Sequence, residues 1–563
     1  MNNPLTQTTA VPDGRRDPAA AASALDRPVD SRLAVEVARR RTFAIISHPD
    51  AGKTTLTEKL LLYGGAVHLA GSVRAQKNQR SATSDWMQME QDRGISVTST
   101  VLQFGYNGYC VNLLDTPGHQ DFSEDTYRTL TAADSAVMVL DAAKGIEEQT
   151  TKLFRVCRQR GIPILTFINK LDRPGKDRLE LMDEIGSLLQ MDVVPMNWPV
   201  GSGDRFAGVY DRDSGQALLF QRAEAGREAT IEGACAPDDP RIRKRLGPTD
   251  YANYREELEL LDAVGAPFDH GAFLAGEQTP VFFGSALNNF GVQMFLDRFL
   301  EMAPSPGPRA SESGPVDPVR DDFAAFVFKI QSNMNPQHRD SVAFVRVCSG
   351  HFERDMQVHH SRTGQTIRLS RPHRSFANER EILDEAFPGD VIGLINPGAF
   401  TIGDTICTGD PVRFEAMPRF APEHFAVLHN VETRRYKQFQ KGVVQLEAEG
   451  AMQVYEAPDA HRLEPILGVV GRLQFDVVQF RLESEYGVKT RLELLPHSTA
   501  RLVAADAAAI KRLPWSLAKR VVDTDGLTVA LFTHEHMVQS WENRYPVKLH
   551  EIGAGIGVFA SQA

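Results

Sequence analysis

Cysteine is scarce in this chain: five among 563 residues, at positions 110, 157, 235, 348 and 407, with no CxxC pair. Such wide spacing argues against a disulfide framework or a zinc ribbon and points to a reducing compartment. Long hydrophobic runs are missing as well. No uninterrupted apolar stretch approaches the roughly 18–20 residues of a membrane span, and the N-terminus lacks a signal-peptide core, so a soluble cytoplasmic protein is expected. Nor is there an excess of positive charge: Lys+Arg 62 against Asp+Glu 73 leaves a net charge of −11. A chain that coats nucleic acid non-specifically would normally be basic, so any RNA contact must come from local patches such as Arg241–Arg245 or Arg434–Lys441. What remains is ordinary: 42% apolar and 24% charged residues, in a chain long enough for three or four globular domains.

Composition shifts divide the chain. Residues 1–32 are rich in Ala, Pro, Asp and Thr without an apolar period and read as a disordered leader. Across 33–304 compact apolar runs (Phe43–Ile46, Tyr109–Leu114, Ala136–Leu140, Ile164–Ile168, Val281–Phe283) alternate with amphipathic segments. That rhythm predicts βαβ units and a doubly wound, mostly parallel sheet, interrupted by an insertion around 201–270. A Pro/Gly/Ser-rich linker covers 305–318. Short strand patterns separated by Gly/Pro/Asp turns over 319–412 predict a β-barrel, and helices mixed with strands over 413–563 predict an α+β domain. The predicted class is therefore multidomain, α/β followed by β and α+β.

The chemistry concentrates in the first of these units. Strand Phe43–Ile46 runs into Ser47-His48-Pro49-Asp50-Ala51-Gly52-Lys53-Thr54-Thr55 and then the amphipathic Leu56–Leu62. Strand, glycine-containing loop and helix form a phosphate-binding loop, whose backbone N–H groups and helix dipole attract phosphate oxygens. Lys53 is placed to reach the β/γ-phosphates and Thr54 to ligate Mg²⁺. The first position is Ser47 where the strict pattern has Gly. Three more motifs follow in order, each after an apolar run: Asp115-Thr116-Pro117-Gly118, Asn169-Lys170-Leu171-Asp172, and Gly284-Ser285-Ala286-Leu287. In an open α/β sheet the ends of the strands are where ligand binds. Asp115 would serve Mg²⁺ and the Gly118 N–H the γ-phosphate. Asp172 offers two oxygens to the N1–H and 2-amino group of guanine, donors that adenine lacks, which predicts a GTP/GDP site. Asn169, the Lys170 stem and the Ser285–Ala286 backbone would surround the base.

Between the first two motifs lies the polar segment Ser81–Thr100 with Trp86 and Arg93-Gly94-Ile95-Ser96. A hydroxyl such as Ser96 could ligate Mg²⁺ only while a γ-phosphate orders the segment, which makes it a candidate switch. His119, directly after the DTPG turn, could orient the attacking water. No arginine is obviously poised in cis, so slow intrinsic hydrolysis accelerated by a large partner is expected. The triplet His338-Arg339-Asp340 lacks the rest of a kinase signature, Gly553–Gly557 falls short of a dinucleotide fingerprint, and His359-His360 reads as surface.

The strings SHPDAGKTTLTEKLLLYGGAV, SDWMQMEQDRGISVTSTVLQFGY, DTPGHQDFSEDTYRTL and TFINKLDR resemble the translational GTPases, most closely the bacterial class-II release factor family (peptide chain release factor three). Ile466–Tyr486 is similar to the third domain of that family, so the likeness extends over residues 38–560. Elongation factor G resembles the same blocks but usually carries Ala at the position of Ser47 and Thr at that of Ser96, and the stretch after Val412 suffices for one further domain where that factor appends three. The resemblance implies a monomeric, ribosome-activated GTPase of translation termination, without membrane or DNA partners. Its GTP hydrolysis, with His119 positioned by large-subunit rRNA, would stimulate the action and recycling of class-I release factors. A translocase and a nucleotide-gated scaffold with negligible turnover are the competing readings.

Overall fold

The computed structural model describes residues 31–65, 96–221, 230–333, 341–370, 372–376, 379–396, 398–415, 417, 419–458 and 464–553. Residues 1–30 of the leader, most of Ser81–Thr100 with Trp86, the triplet at 338–340 and nearly all of 553–557 lie outside that set, while Ser31 and Arg32, read from sequence as part of the leader, open a helix over Ser31–Ala38.

Eight-residue β1 (Arg40–Ser47) is buried along its whole length, as a strand covered by helices on both faces must be. After it come β2 (Thr100–Tyr106), β3 (Tyr109–Asp115), β4 (Ser135–Asp141), β5 (Ile164–Asn169) and β6 (Asp192–Pro195). The insertion contributes β7 (Asn197–Val200), β8 (Gly208–Asp211), β9 (Gln216–Gln221) and β10 (Thr230–Cys235), after which the chain returns as β11 (Gln278–Phe283). The main sheet has the order β2-β3-β1-β4-β5-β11-β6. All its pairings are parallel except β2 on β3. Strands β7–β10 form a separate antiparallel sheet in the order β10-β9-β8-β7, with Trp198 edge-on to Phe283 joining it to the main core. Two apolar clusters cover opposite faces of the main sheet. One contains Ala44, Ile46 and Met138, the other Phe43, Ile45 and Val137, as strand alternation requires.

After the linker, an eight-stranded antiparallel sheet surrounds a core of Phe323, Val327, Val345, Ile392 and Ile406. Strands Ala324–Ser332 and Ser341–Ser349 are its longest pair, with a register shift between Val327 and Lys329. The last unit has eight antiparallel strands, and helices Tyr436–Ala448 and Leu473–Tyr486 cover one face through Phe439, Leu446, Phe475 and Leu482. Among the described residues no helix is long and apolar enough to cross a membrane. His360 departs from the sequence reading as a surface residue. It is buried, with Nε2 2.9 Å from Asp404 Oδ2 and Nδ1 2.9 Å from the Thr363 hydroxyl, because the fold brings those partners to it.

Candidate functional site

The four sequence motifs meet at the C-terminal ends of β1, β3, β5 and β11. Ser47 closes β1 and helix Lys53–Tyr63 starts six residues on, so the loop between them must turn sharply. Asp50 (φ 66°) and Gly52 (φ 93°) take left-handed backbone to make that turn. A side chain at Gly52 would overlap the Asn169 amide, so glycine there permits the Ser47–Thr55 loop and the Asn169–Asp172 loop to touch. Ala51 is fully buried, and its carbonyl accepts from Asn169 Nδ2 at 2.9 Å. Lys53 opens the helix and pairs with Asp115 at the end of β3, Nζ to Oδ1 2.5 Å, with both side chains buried. Thr54 lies in the same first turn, partly buried, as does Thr55. The Thr116 hydroxyl donates to the Ile45 carbonyl at 2.6 Å, and the Pro117 carbonyl accepts from Thr126 Oγ1 at 3.3 Å. These bonds lay the DTPG turn against β1. Gly118 sits beside the phosphate loop, where a Cβ would contact Pro49 at 3.7 Å.

The Ser47 hydroxyl and both ring nitrogens of His48 are buried without a hydrogen-bond partner among the described residues. Burial holds the His48 pKa below the ordinary histidine value, so this ring is a neutral support beneath the loop.

At the base end, Asn169 Oδ1 accepts from the backbone N–H of Lys170 at 2.8 Å and of Ala286 at 2.9 Å. Lys170, with φ 68°, donates from Nζ to the Asp50 carbonyl and pairs with Asp141 Oδ2 at 2.9 Å. Leu171 is buried and its N–H donates to the Gly284 carbonyl at 3.3 Å. The Ser285 hydroxyl donates to Asp172 Oδ1 at 2.5 Å, which aims that carboxylate. Leu287 is 61% exposed and flanks the site from outside. His119 is partly exposed, and its Nδ1 accepts from the Asp121 N–H at 3.2 Å. Ser96 is half-buried, at the first described position after residue 95.

Three family models match the chain in succession. Residues 38–305 match the elongation factor Tu GTP binding domain, 322–409 the elongation factor G domain 2, and 414–542 the class II release factor RF3 C-terminal domain. Peptide chain release factor 3 of Gloeobacter violaceus is 59% identical over 92% of this chain and 98% of its own length. Its counterpart from Nostoc punctiforme is 55% identical over 95% of this chain and 98% of its own. This chain belongs to the peptide chain release factor 3 family. A solved Thermus thermophilus protein superposes with a TM-score of 0.65 at 23% identity, covering 84% of this chain and 71% of the other, which shows a shared fold. The protein is therefore a GTPase of translation termination that binds guanine nucleotide.

The release factor 3 fold brings further residues to this site that reading by motif overlooks. Asp141 ends β4 as Asp115 ends β3 and Asn169 ends β5. Burial alone would raise its pKa, yet the Lys170 ammonium and the Ala143 N–H at 2.8 Å hold it below the ordinary carboxylate value. The signal was available: a carboxylate closing a fully apolar strand run. Lys329 sits in the second domain, and the register shift beside it turns its side chain toward the first. Its Nζ donates to the Ser99 carbonyl, lies 3.1 Å from Ser99 Oγ and 3.9 Å from Asp125 Oδ2. Asp125 also accepts from the Ser99 N–H at 2.7 Å. Against the cost of its burial, Lys329 and Arg128 keep its pKa low. One cation from another domain thus ties the end of the candidate switch to helix Ser123–Thr131. A lysine inside the run FAAFVFKI was the sequence clue.

The basic clusters differ in what folding leaves free. In Arg241–Arg245, Ile242 is buried, Arg241 pairs with Asp239 and Arg245 with Glu232. In Arg434–Lys441, Arg435 pairs with Glu432, while Arg434, Lys437 and Lys441 are exposed to solvent.

Proposed function

We propose that this GTPase binds the ribosome during termination and stimulates both the action and the recycling of class-I release factors, GTP hydrolysis driving the change between two domain arrangements. The observation that carries the reading is the convergence of four loops on one edge of the sheet in a chain of the release factor 3 family. In the present arrangement Lys53 and Asp115 neutralise each other, which is costly to keep buried and is relieved when phosphate takes Lys53 and a cation takes Asp115. The donors expected for the cation are all oxygens, the Asp115 carboxylate and the Thr54 and Ser96 hydroxyls, and hard oxygen donors with few carboxylates suit Mg²⁺. Bound there, Mg²⁺ would supply charge neutralisation for the phosphates.

The chain's own residues do the rest. The loop Ser47-His48-Pro49-Asp50-Ala51-Gly52 surrounds the phosphates with backbone N–H groups, Lys53 meets the β/γ oxygens, and Thr55 continues the helix behind them. Asp172 receives the guanine N1–H and 2-amino donors. Asn169, the Lys170 stem, Leu171, Ser285, Ala286 and Leu287 frame the base. Thr116, Pro117 and Gly118 bring an N–H to the γ-phosphate, and His119 directs the attacking water. Ribosomal RNA and proteins at the factor-binding site of the large subunit are the activating partner. The protein acts as a cytoplasmic monomer.

The deciding experiment is dissociation of a class-I release factor from post-release ribosomes, followed by a fluorescent label. With GTP the protein should speed dissociation many-fold. Stimulated tRNA movement with no effect on dissociation would mean a translocase instead.

A further inference from the structure

We propose that Asp121 is a positioning residue for His119, and that the C-terminal domain holds Asp121 through Gly471 and Leu473, so that docking of this domain sets the orientation of the water-directing histidine. The proposal rests on the role given to His119 above.

The contact is a short chain of bonds. Helix Leu473–Tyr486 points its N-terminus at the turn that follows DTPG, and the Leu473 N–H donates to Asp121 Oδ2 at 2.7 Å. A carboxylate at a helix N-terminus satisfies a donor that has no partner within the helix and meets the positive end of its dipole. The backbone N–H of Asp121 donates to His119 Nδ1 at 3.2 Å, and Asp121 Oδ1 lies 3.3 Å from the same nitrogen. Both the backbone N–H and the carboxylate of Asp121 therefore face Nδ1, which leaves Nε2 as the ring nitrogen turned toward a water. The orientation of the ring is thus set by the residue that the C-terminal domain grips.

Two features show that the approach is built for closeness. A Cβ on Gly471 would overlap the Asp121 carboxylate, so the C-terminal loop reaches it only as glycine. Around the bond, Val97, Phe122 and Val477 form a buried cluster with Leu473 and Phe480 packed on it. That cluster joins the end of the candidate switch, the turn carrying His119 and the C-terminal helix. Rotation of the domain would open it and free Asp121. Since displacement of a catalytic group by about 1 Å costs on the order of a hundredfold in rate, such a contact suffices to gate hydrolysis.

The test uses the full-length protein with ribosomes and measures GTP hydrolysis for His119→Ala, Asp121→Ala, Asp121→Asn, Gly471→Ala and the double variant His119→Ala/Asp121→Ala. Asp121→Ala and Gly471→Ala should lower kcat at saturating ribosomes by about tenfold or more, while GTP and GDP affinities stay within about twofold. Asp121→Asn, which keeps an oxygen for Leu473, should recover most of the rate. The double variant should be no slower than His119→Ala. Wild-type kcat in both Asp121→Ala and Gly471→Ala, or an additive loss in the double variant, overturns the proposal. If Gly471→Ala does not fold, the Asp121 pair and the double variant decide alone. Normal hydrolysis by His119→Ala would remove the role of His119, and this proposal with it. A slow His119→Ala beside wild-type rates for the other two removes this proposal only.

Discussion

Asn169 bonds to Ala51 and Ala286, Lys170 to Asp50 and Asp141, and Asp172 to Ser285. All of those partners lie in the GTP-binding domain. The segment from Ser99 to Arg128 is held differently: Ser99 by Lys329, Asp121 by Leu473, Phe122 by Val477 and Arg128 by the Gly450 carbonyl at 3.2 Å. The loops proposed to hold the base are therefore closed within one core, whereas the region proposed to face the γ-phosphate is shared with both other domains. A ligand moves a conformational equilibrium only by its differential affinity for the two states. On the proposed assignment, that difference belongs at the phosphate end, and guanine binding should be nearly equal in both states.

The sharpest way to break the comparison is at the base. Asp172→Asn should lower GTP affinity by roughly 10⁴-fold, since the guanine N1–H and 2-amino donors would meet a mismatched group, and should raise affinity for xanthosine triphosphate. Its melting temperature should hardly change, because the partner Ser285 lies within the same loop pair. Calorimetry with both nucleotides checks this, and an unchanged preference for GTP would count against the base assignment.

The next largest effect belongs to the junction. Arg481 is buried between Glu449 and Glu485, with Nη1 2.6 Å from Glu449 and Nε 2.5 Å from Glu485, and Glu449 also accepts from the Ser332 N–H at 2.9 Å. Arg481→Ala leaves two partly buried carboxylates without a counter-charge and should cost about 3 kcal/mol in denaturant unfolding. A loss under about 1 kcal/mol would mean that water replaces the guanidinium.

Lys329→Met removes the cation that joins Ser99 and Asp125. It should slow ribosome-stimulated hydrolysis several-fold and leave GDP affinity within about twofold, the opposite division of effects from Asp172→Asn. Asp125 also loses the ammonium that lowers its pKa. Asp125 adds stability above its ordinary unfolded pKa, and that contribution is lost as pH falls through the folded value. Lys329→Met should therefore narrow the advantage of neutral over acidic pH in melting curves.

The smallest effect is expected in the cleft between the first and last domains, where Glu124, Glu447 and Asp523 line a cavity of about 310 Å³. Burial raises the pKa of all three. A raised carboxyl pKa costs stability as pH climbs from the unfolded value to the folded one, and the full penalty is present above the folded value. Glu447→Gln should give a slight gain in melting temperature at pH 8 that vanishes at pH 4, where Glu447 is itself neutral.

How much of this was legible depends on how far apart the partners lie in the chain. The strands ending at Ser47, Asp115, Asn169 and Phe283 were readable because β-branched and aromatic runs precede their loops directly. Strand β2 was not, since Gln103, Gly105 and Tyr106 break its apolar character and its assignment needs β3 beside it. Lys53, Asp115 and Asp172 could be named from local motifs. Lys329 and Leu473 could not, because their partners stand 230 and 352 residues away in sequence. Short motifs record what a loop binds; they carry no trace of which domain leans on it.

GTP turnover with and without ribosomes decides whether the ribosome activates this GTPase. Hydrolysis by the protein alone should be slow and should rise steeply on ribosomes, an increase abolished by His119→Ala while GTP remains bound. Equal turnover in both conditions, or full stimulation of the His119→Ala variant, would contradict that expectation.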